Sequence, residues 1–283
     1  MSLREEAKRN LRSYGIVPKK RLGQSFLVDR ESLLKIVGCA SLSQEDVVLE
    51  IGAGLGFLTE YLAERAGKVI AVEVDPRLTQ ILRDKLRCFS NVSLVEGDIL
   101  KTDVRGFNKV VSTPPYSISS PLLFWLLDKG SDLSVLAFQE EFAQRVAAPV
   151  GSKDYGRLTV AVYCRAEAEL LSLIPKECFW PVPEVDSRIV RLKSKRPPFK
   201  VDDQKFFDEL VKAVFSQKNR KMRNALPPLF SRLGIPKTEA IVMADALPFP
   251  DRRPRELSPE EIGLLANEAL KMLRQRQRQR RKG

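Results

Sequence analysis

The chain has no histidine among its 283 residues. Imidazole general-base chemistry and His-ligated zinc are thereby excluded. Its four cysteines, Cys39, Cys88, Cys164 and Cys178, stand apart with no C-x-x-C pair. They read as small thiols of a reducing compartment rather than a disulfide framework. No apolar run approaches the roughly 20 residues of a membrane span. The opening MSLREEAKRNLRSYG is too polar for a signal peptide, so the expectation is a soluble, cytoplasmic protein with no membrane partner. A P-loop lysine followed by Ser or Thr is also missing, so nothing is built to hold a triphosphate.

What is present is organised around residues 47–75, VVLEIGAGLGFLTEYLAERAGKVIAVEVD. Residues 47–51 form a short apolar run of the kind that fills a buried parallel strand, and Gly52, Gly54 and Gly56 follow at alternate positions. From Phe57 the apolar residues recur at helical spacing. Residues 69–74 form a second apolar run, with Glu73 and Asp75 at its end. Strand, glycine turn, helix and strand with an acid describe a nucleoside site, with glycine backbone near the ligand and a carboxylate on ribose hydroxyls. Phe57 occupies the place of the last glycine of G-x-G-x-x-G. The resulting G-x-G-x-G favours S-adenosylmethionine over NAD, with the NAD and purely structural readings still open at this point.

Net charge is +12, unevenly spread. Residues 194–283 carry 21 Lys and Arg against 11 Asp and Glu, a net +10, which leaves +2 for the first 193. That asymmetry points to a polyanion, most simply nucleic acid, held with help from the C-terminal third. Residues 1–16 read as a lone basic helix or mobile arm. Residues 17–194 then alternate strands with helices, and the later strands, read at 158–165, 170–174 and 187–193, cluster without helices between them. The fold expected is a mostly parallel α/β sheet finished by antiparallel edge strands. KRPP at 195–198 is a linker to a small all-α domain over 199–273, with helices read at 206–215, 219–229 and 259–273. RQRQRQRRKG, 274–283, reads as a basic disordered tail.

Ligands collect outside the carboxyl ends of strands in such sheets, which places Asp98, after the strand at 92–95, beside the pocket of Glu73. STPPYSISSP, 112–121, is a stiff turn presenting an aromatic ring. The cationic PKKRLGQSFLVD precedes the first sheet strand, where it can fold back over the mouth of the nucleoside site.

RLGQSFLVD, VVLEIGAGLGFLT, VIAVEVD, EGDIL, VVSTPPYSISSP and FWPVPEVDS, in this order and spacing, resemble the ribosomal RNA adenine N6,N6-dimethyltransferases, the group founded on the kasugamycin-resistance methylase. The likeness covers nearly the whole chain, including NRKMRNAL, and EFAQRVAAPVGSKDYGRLTVAV is similar to archaeal and eukaryotic members. The resemblance implies a Rossmann-like class I methyltransferase sheet with a helical RNA-binding domain. It implies that Ser25, Leu27, Gly52, Gly54, Glu73, Asp98 and Thr113 line an S-adenosylmethionine pocket whose product is S-adenosylhomocysteine. Thr113 and Pro114 would accept the hydrogens of an adenine amino group, and Tyr116 with Phe179 would sandwich the base. Positioning and electrostatics suffice for that chemistry, so no metal is expected. Lys19, Lys20, Arg21, Lys218, Arg220, Lys221 and Arg223 are candidate RNA phosphate contacts.

One departure stands out: the family usually carries Asn at the place of Thr113 and Leu or Ile at that of Pro114. Threonine offers one hydroxyl acceptor where Asn offers a carbonyl and an amide. The expected activity is dimethylation of adenines, adjacent ones in a hairpin loop, in small-subunit ribosomal RNA or a pre-30S-like particle, by a monomer. The rivals are a large-subunit RNA methylase and a non-catalytic RNA-binding assembly or transcription factor that keeps the fold.

Overall fold

In a computed structural model that describes residues 1–19 and 22–280, the chain divides between two units. Met1–Gln144 and Ala166–Ser194 form the first, and Arg145–Arg165 with the chain from Lys195 form the second.

In the first unit, α1 (Leu3–Ser13) begins with a capping box between Ser2 and Glu5 and buries Ala7 and Leu11. Lys85 Nζ bonds Glu6 at 3.1 Å and Glu60 at 2.8 Å while lying 4.1 Å from the Phe57 ring centre. Residues 1–16 are therefore not a mobile arm, because two apolar residues and an ion pair dock the helix. Strand β1 (Phe26–Leu27) leads to α2 (Arg30–Cys39), whose N-cap Asp29 accepts the Ser32 amide at 2.8 Å.

The apolar runs then become β2 (Val47–Ile51), β3 (Lys68–Glu73), β4 (Val92–Glu96), β5 (Lys109–Ser112) and β6 (Leu133–Gln139). The helices α3 (Phe57–Ala63), α4 (Pro76–Leu86) and α5 (Ser119–Lys129) alternate with them, and α6 (Glu140–Val146) follows. After β7 (Ala166–Ile174) and the short β8 (Phe179–Trp180), β9 (Ser187–Ser194) completes a seven-stranded sheet in the order β4-β3-β2-β5-β6-β9-β7. The first five strands are parallel, while β9 runs antiparallel to both β6 and β7. Val48, Leu49, Val110 and Val111 are fully buried, as strands covered on both faces must be. From β2 the chain winds outward through β3 to β4, then returns to β5 on the other side. That reversal opens a crevice at the carboxyl ends of β2 and β5.

The second unit is helical: α7 (Arg157–Tyr163), α8 (Gln204–Phe215), α9 (Met222–Ala225), α10 (Pro227–Arg232), α11 (Lys237–Ala246) and α12 (Pro259–Arg280). Phe207, Leu210, Val214, Leu226, Phe230 and Leu265 form its core. Four readings of the sequence are corrected here. Residues 158–165 are not a strand: α7 is buried all round, so it shows no helical period, and its β-branched residues imitate a strand. Tyr155, 1% exposed, donates its hydroxyl to the Leu257 carbonyl at 2.9 Å, which draws 145–165 into the helical unit and out of the 17–194 domain. The helix read at 219–229 is two helices, divided at Pro227. Residues 274–280 continue α12 instead of forming a disordered tail, with Arg276 Nη2 bonding Glu239 at 2.7 Å. Residues 281–283 lie outside the described residues. Among the described residues no helix is long and apolar enough to cross a membrane.

Candidate active site

The crevice between β2 and β5 holds a cleft walled by the glycine loop, the end of β3 and the turn after β5. Ser25, Leu27, Gly52, Gly54, Glu73, Thr113, Pro114, Tyr116 and Phe179 all line it. Two glycines are required by close approach. Gly52 has φ +76°, and a Cβ there would stand 3.0 Å from Pro115 Cδ. Gly54 has φ +59°, and its Cβ would lie 2.9 Å from the Phe26 ring.

Glu73 ties this loop to the strand ends. Its Oε2 accepts the Gly54 amide at 2.9 Å and its Oε1 the Asp75 amide at 2.9 Å. Burial raises its pKa, against the pull of those amides. Each oxygen keeps a lone pair for a further donor. Asp75 caps α4, and the Arg77 guanidinium beside it holds its carboxyl far below the ordinary range.

The GQSFL segment does fold over this cleft. Gln24 donates to Asp75 Oδ2 at 2.9 Å and accepts the Lys19 amide at 2.7 Å, so one amide side chain fastens the loop to the end of β3. The Ser25 hydroxyl donates to the Pro181 carbonyl at 2.6 Å. Pairing of Phe26 with Trp180 and Leu27 with Phe179 then brings the loop and the CFWPVP segment together.

Opposite the glycine loop, the Ser112 hydroxyl bridges β5 to β2 by donating to the Ile51 carbonyl at 2.6 Å. The next residue, Thr113, is half-buried, and among the described residues nothing bonds its hydroxyl. No described backbone donor reaches the Pro114 carbonyl either. Tyr116 lies half-buried with its hydroxyl 2.6 Å from Ser187 Oγ, and burial raises its pKa. The Tyr116 and Phe179 rings meet edge-on, 66° apart with centres separated by 6.4 Å. A base between parallel faces needs roughly 7 Å, two stacking distances of about 3.4 Å, so the rings as they stand hold no sandwich.

The remaining predicted residues lie elsewhere. Asp98 is partly exposed and is not part of the cleft wall. Its Oδ1 accepts the Leu100 amide at 3.0 Å within its own turn. The Gly97 amide bonds the Glu73 carbonyl at 2.8 Å, which keeps Asp98 next to that strand end. Lys19 Nζ stands 3.9 Å from Asp75 Oδ2, and Lys20 and Arg21 fall outside the described residues. In the helical unit Lys218 bonds the Lys153 carbonyl at 2.9 Å, and Lys221 and Arg223 both reach Asp251, at 2.9 and 2.7 Å. Arg220 and Arg223 share a separate groove with Asn224, Ser231 and Lys237 over a floor of Pro227, Pro228 and Ile241.

Sequence reasoning missed Gln24, Ser187, Lys237 and Glu50. Glu50 is the least expected: it lines the cleft, lies wholly buried in β2, and its Oε2 has no hydrogen-bond partner. Burial pushes its pKa up to about 8. A charged residue inside the otherwise apolar VVLEI was the available signal. Among the described residues no group of three or more His, Cys, Asp or Glu gathers as a metal site.

Residues 17–243 match the family described as Ribosomal RNA adenine dimethylase. A probable ribosomal RNA small subunit methyltransferase A of Methanosarcina acetivorans is 48% identical over 244 residues, 86% of this chain and 91% of that one. A dimethyladenosine transferase structure from Plasmodium falciparum superposes with TM-score 0.74 at 29% identity, covering 86% of this chain and 96% of that one. The structure of the 23S rRNA methyltransferase ErmE gives TM-score 0.63 at 30% identity, over 87% and 99%.

Proposed function

This chain belongs to the ribosomal RNA adenine dimethylase family, and on that premise we propose that it transfers methyl groups from S-adenosylmethionine to adenine N6 in small-subunit ribosomal RNA. Two methyls go to each of two adjacent adenines in a hairpin loop, S-adenosylhomocysteine is released, and a pre-30S-like particle is the substrate of a cytoplasmic monomer. The observation that carries this reading is the convergence of the glycine loop, Glu73 and the Thr113–Tyr116 turn on one cleft.

The cleft suits the donor. Gly52 and Gly54 leave backbone exposed where a Cβ would intrude, and the Glu73 carboxylate retains acceptor capacity for ribose hydroxyls. Ser25 and Leu27 close the wall from the fastened loop, and Asp98 is assigned to the donor's adenine from the neighbouring strand end. When bound, S-adenosylmethionine supplies an electrophilic methyl on its sulfonium.

The protein's part is to make an adenine amine nucleophilic. That nitrogen shares its lone pair with the purine ring until acceptors draw its hydrogens out of plane. The unpaired Thr113 hydroxyl and the Pro114 carbonyl are two such acceptors on one stiff turn. Tyr116 gives the unpaired base a face to stack on, and Phe179 must turn if it is to cover the other side. No residue need act as a strong base, because the nitrogen becomes strongly acidic once methylated and gives one proton per methyl to water, while positioning and fixed dipoles carry the transfer itself. Lys19, Lys20, Arg21, Lys218, Arg220, Lys221 and Arg223 bind phosphates and orient the RNA without reading sequence.

The test is transfer of labelled methyl to isolated small subunits, with the modified adenines located by primer extension. The likeness to ErmE at 30% identity favours a second reading, large-subunit RNA, and large subunits in the same assay separate the two. A folded, donor-binding protein that transfers nothing to either would instead be a non-catalytic factor.

A further inference from the structure

The backbone under Tyr116 is well fixed. Pro114 and Pro115 precede it, and the Ser119 hydroxyl donates to its carbonyl at 3.0 Å. The ring is another matter, since a tyrosine opening a single 3-10 turn, Tyr116–Ile118, can swing about its first side-chain torsion unless something holds its far end. The Tyr116 hydroxyl is 2.6 Å from Ser187 Oγ, and Phe179 touches the ring only by an edge contact.

Ser187 is an unusual anchor. It is the first residue of β9, and it pairs with Gln139 of β6 on one side and with Ile174 of β7 on the other. Its own position is thus set by two ladders. It is 0% exposed, and among the described residues Tyr116 is the partner of its hydroxyl. A buried hydroxyl costs stability unless it is bonded, and alanine would fill the same place without that cost. The hydroxyl is accounted for by what it holds. A phenol prefers hydrogen bonds close to its ring plane, so this bond sets the tilt of the ring as well as its reach.

We infer that Ser187 is a positioning residue that holds the Tyr116 ring at the angle on which the target adenine stacks. It does not touch the base. It converts a mobile aromatic into a pre-oriented platform, so that stacking brings the amino group to Thr113 and Pro114 rather than merely retaining the base. The inference rests on the adenine methylation proposed above.

A double-mutant cycle tests it, with Ser187→Ala, Tyr116→Phe and the pair measured in the whole protein on small subunits. Each single change removes the same hydrogen bond from one end and leaves an aromatic ring in place. The expected result is a fall in kcat of roughly five- to tenfold in each single variant. KM for the particle stays unchanged because none of the cationic side chains is altered, and the pair falls no further than either alone. Donor binding by calorimetry, unchanged in all three, reports that the cleft is folded. If Ser187→Ala fails to fold, Tyr116→Phe decides alone, and full kcat in it overturns the inference. Wild-type kcat in Ser187→Ala, or losses that multiply in the pair, also overturn it. A wild-type protein that methylates nothing removes the proposed function, and this inference with it, whereas an active wild type matched by its variants removes this inference only.

Discussion

Thr113 carries the most direct residue-scale prediction. Its free hydroxyl is one of two acceptors assigned to the adenine amine, so Thr113→Ala should lower methyl transfer at least about 100-fold, the scale of losing one preorganised polar contact. Donor affinity should change little by comparison. Unchanged rates would reduce Thr113 to a turn former. Glu50 predicts a pH effect on stability. Its folded pKa, about 8, stands above the roughly 4.3 of an unfolded glutamate. Between those values the unfolded chain binds fewer protons than the native one, so the contribution is full below about pH 4 and is lost as pH rises through 8. Glu50→Gln keeps the shape without the titration, and it should raise the melting temperature by several degrees at pH 9 and much less at pH 5. An equal shift at both would show that Glu50 is not held neutral. The sequence made Glu73, Thr113 and Tyr116 legible because each lies beside a distinctive local pattern. Ser187 and Gln24 were not legible, since their partners are 71 and 51 residues away and meet them only through strand order.

Elements were legible where burial leaves a simple signature. VVLEI and KVIAVE are covered on both faces and read as strands without reference to the rest of the fold. RLTVAVY failed because a helix enclosed on every side loses the period by which helices are recognised, and only its packing in the helical unit decides the matter. The glycine loop supports a test at this scale. Gly54→Ala places a methyl 2.9 Å from the Phe26 ring at a φ of +59°. The left-handed conformation alone costs about 1 kcal/mol, and the contact displaces either the loop or the GQSFL segment. Donor affinity measured by calorimetry should drop more than about tenfold, as a mis-set loop requires, with the fold retained by circular dichroism. Wild-type affinity would mean that the close packing of Phe26 on the loop is not part of the donor site.

Across the whole molecule the charge asymmetry, +10 in residues 194–283 against +2 before them, is the ground for the phosphate contacts proposed in the helical unit. Arg220 and Lys237 share a groove there, whereas Lys221 and Arg223 are partly neutralised by Asp251. Arg220→Ala and Lys237→Ala should therefore each weaken RNA binding and flatten the log Kd against log salt line by about 1 unit, while Lys221→Ala does less. Equal slopes in all variants would move the phosphate contacts elsewhere. The central claim is that one cleft joins a methyl donor to an unpaired adenine. Its most direct measurement is transfer of labelled methyl from S-adenosylmethionine to isolated small subunits, with the products read as nucleosides. The expected product is N6,N6-dimethyladenosine, in proportion to added protein and abolished by Thr113→Ala. Donor binding with no methylated adenine in small-subunit RNA would contradict it.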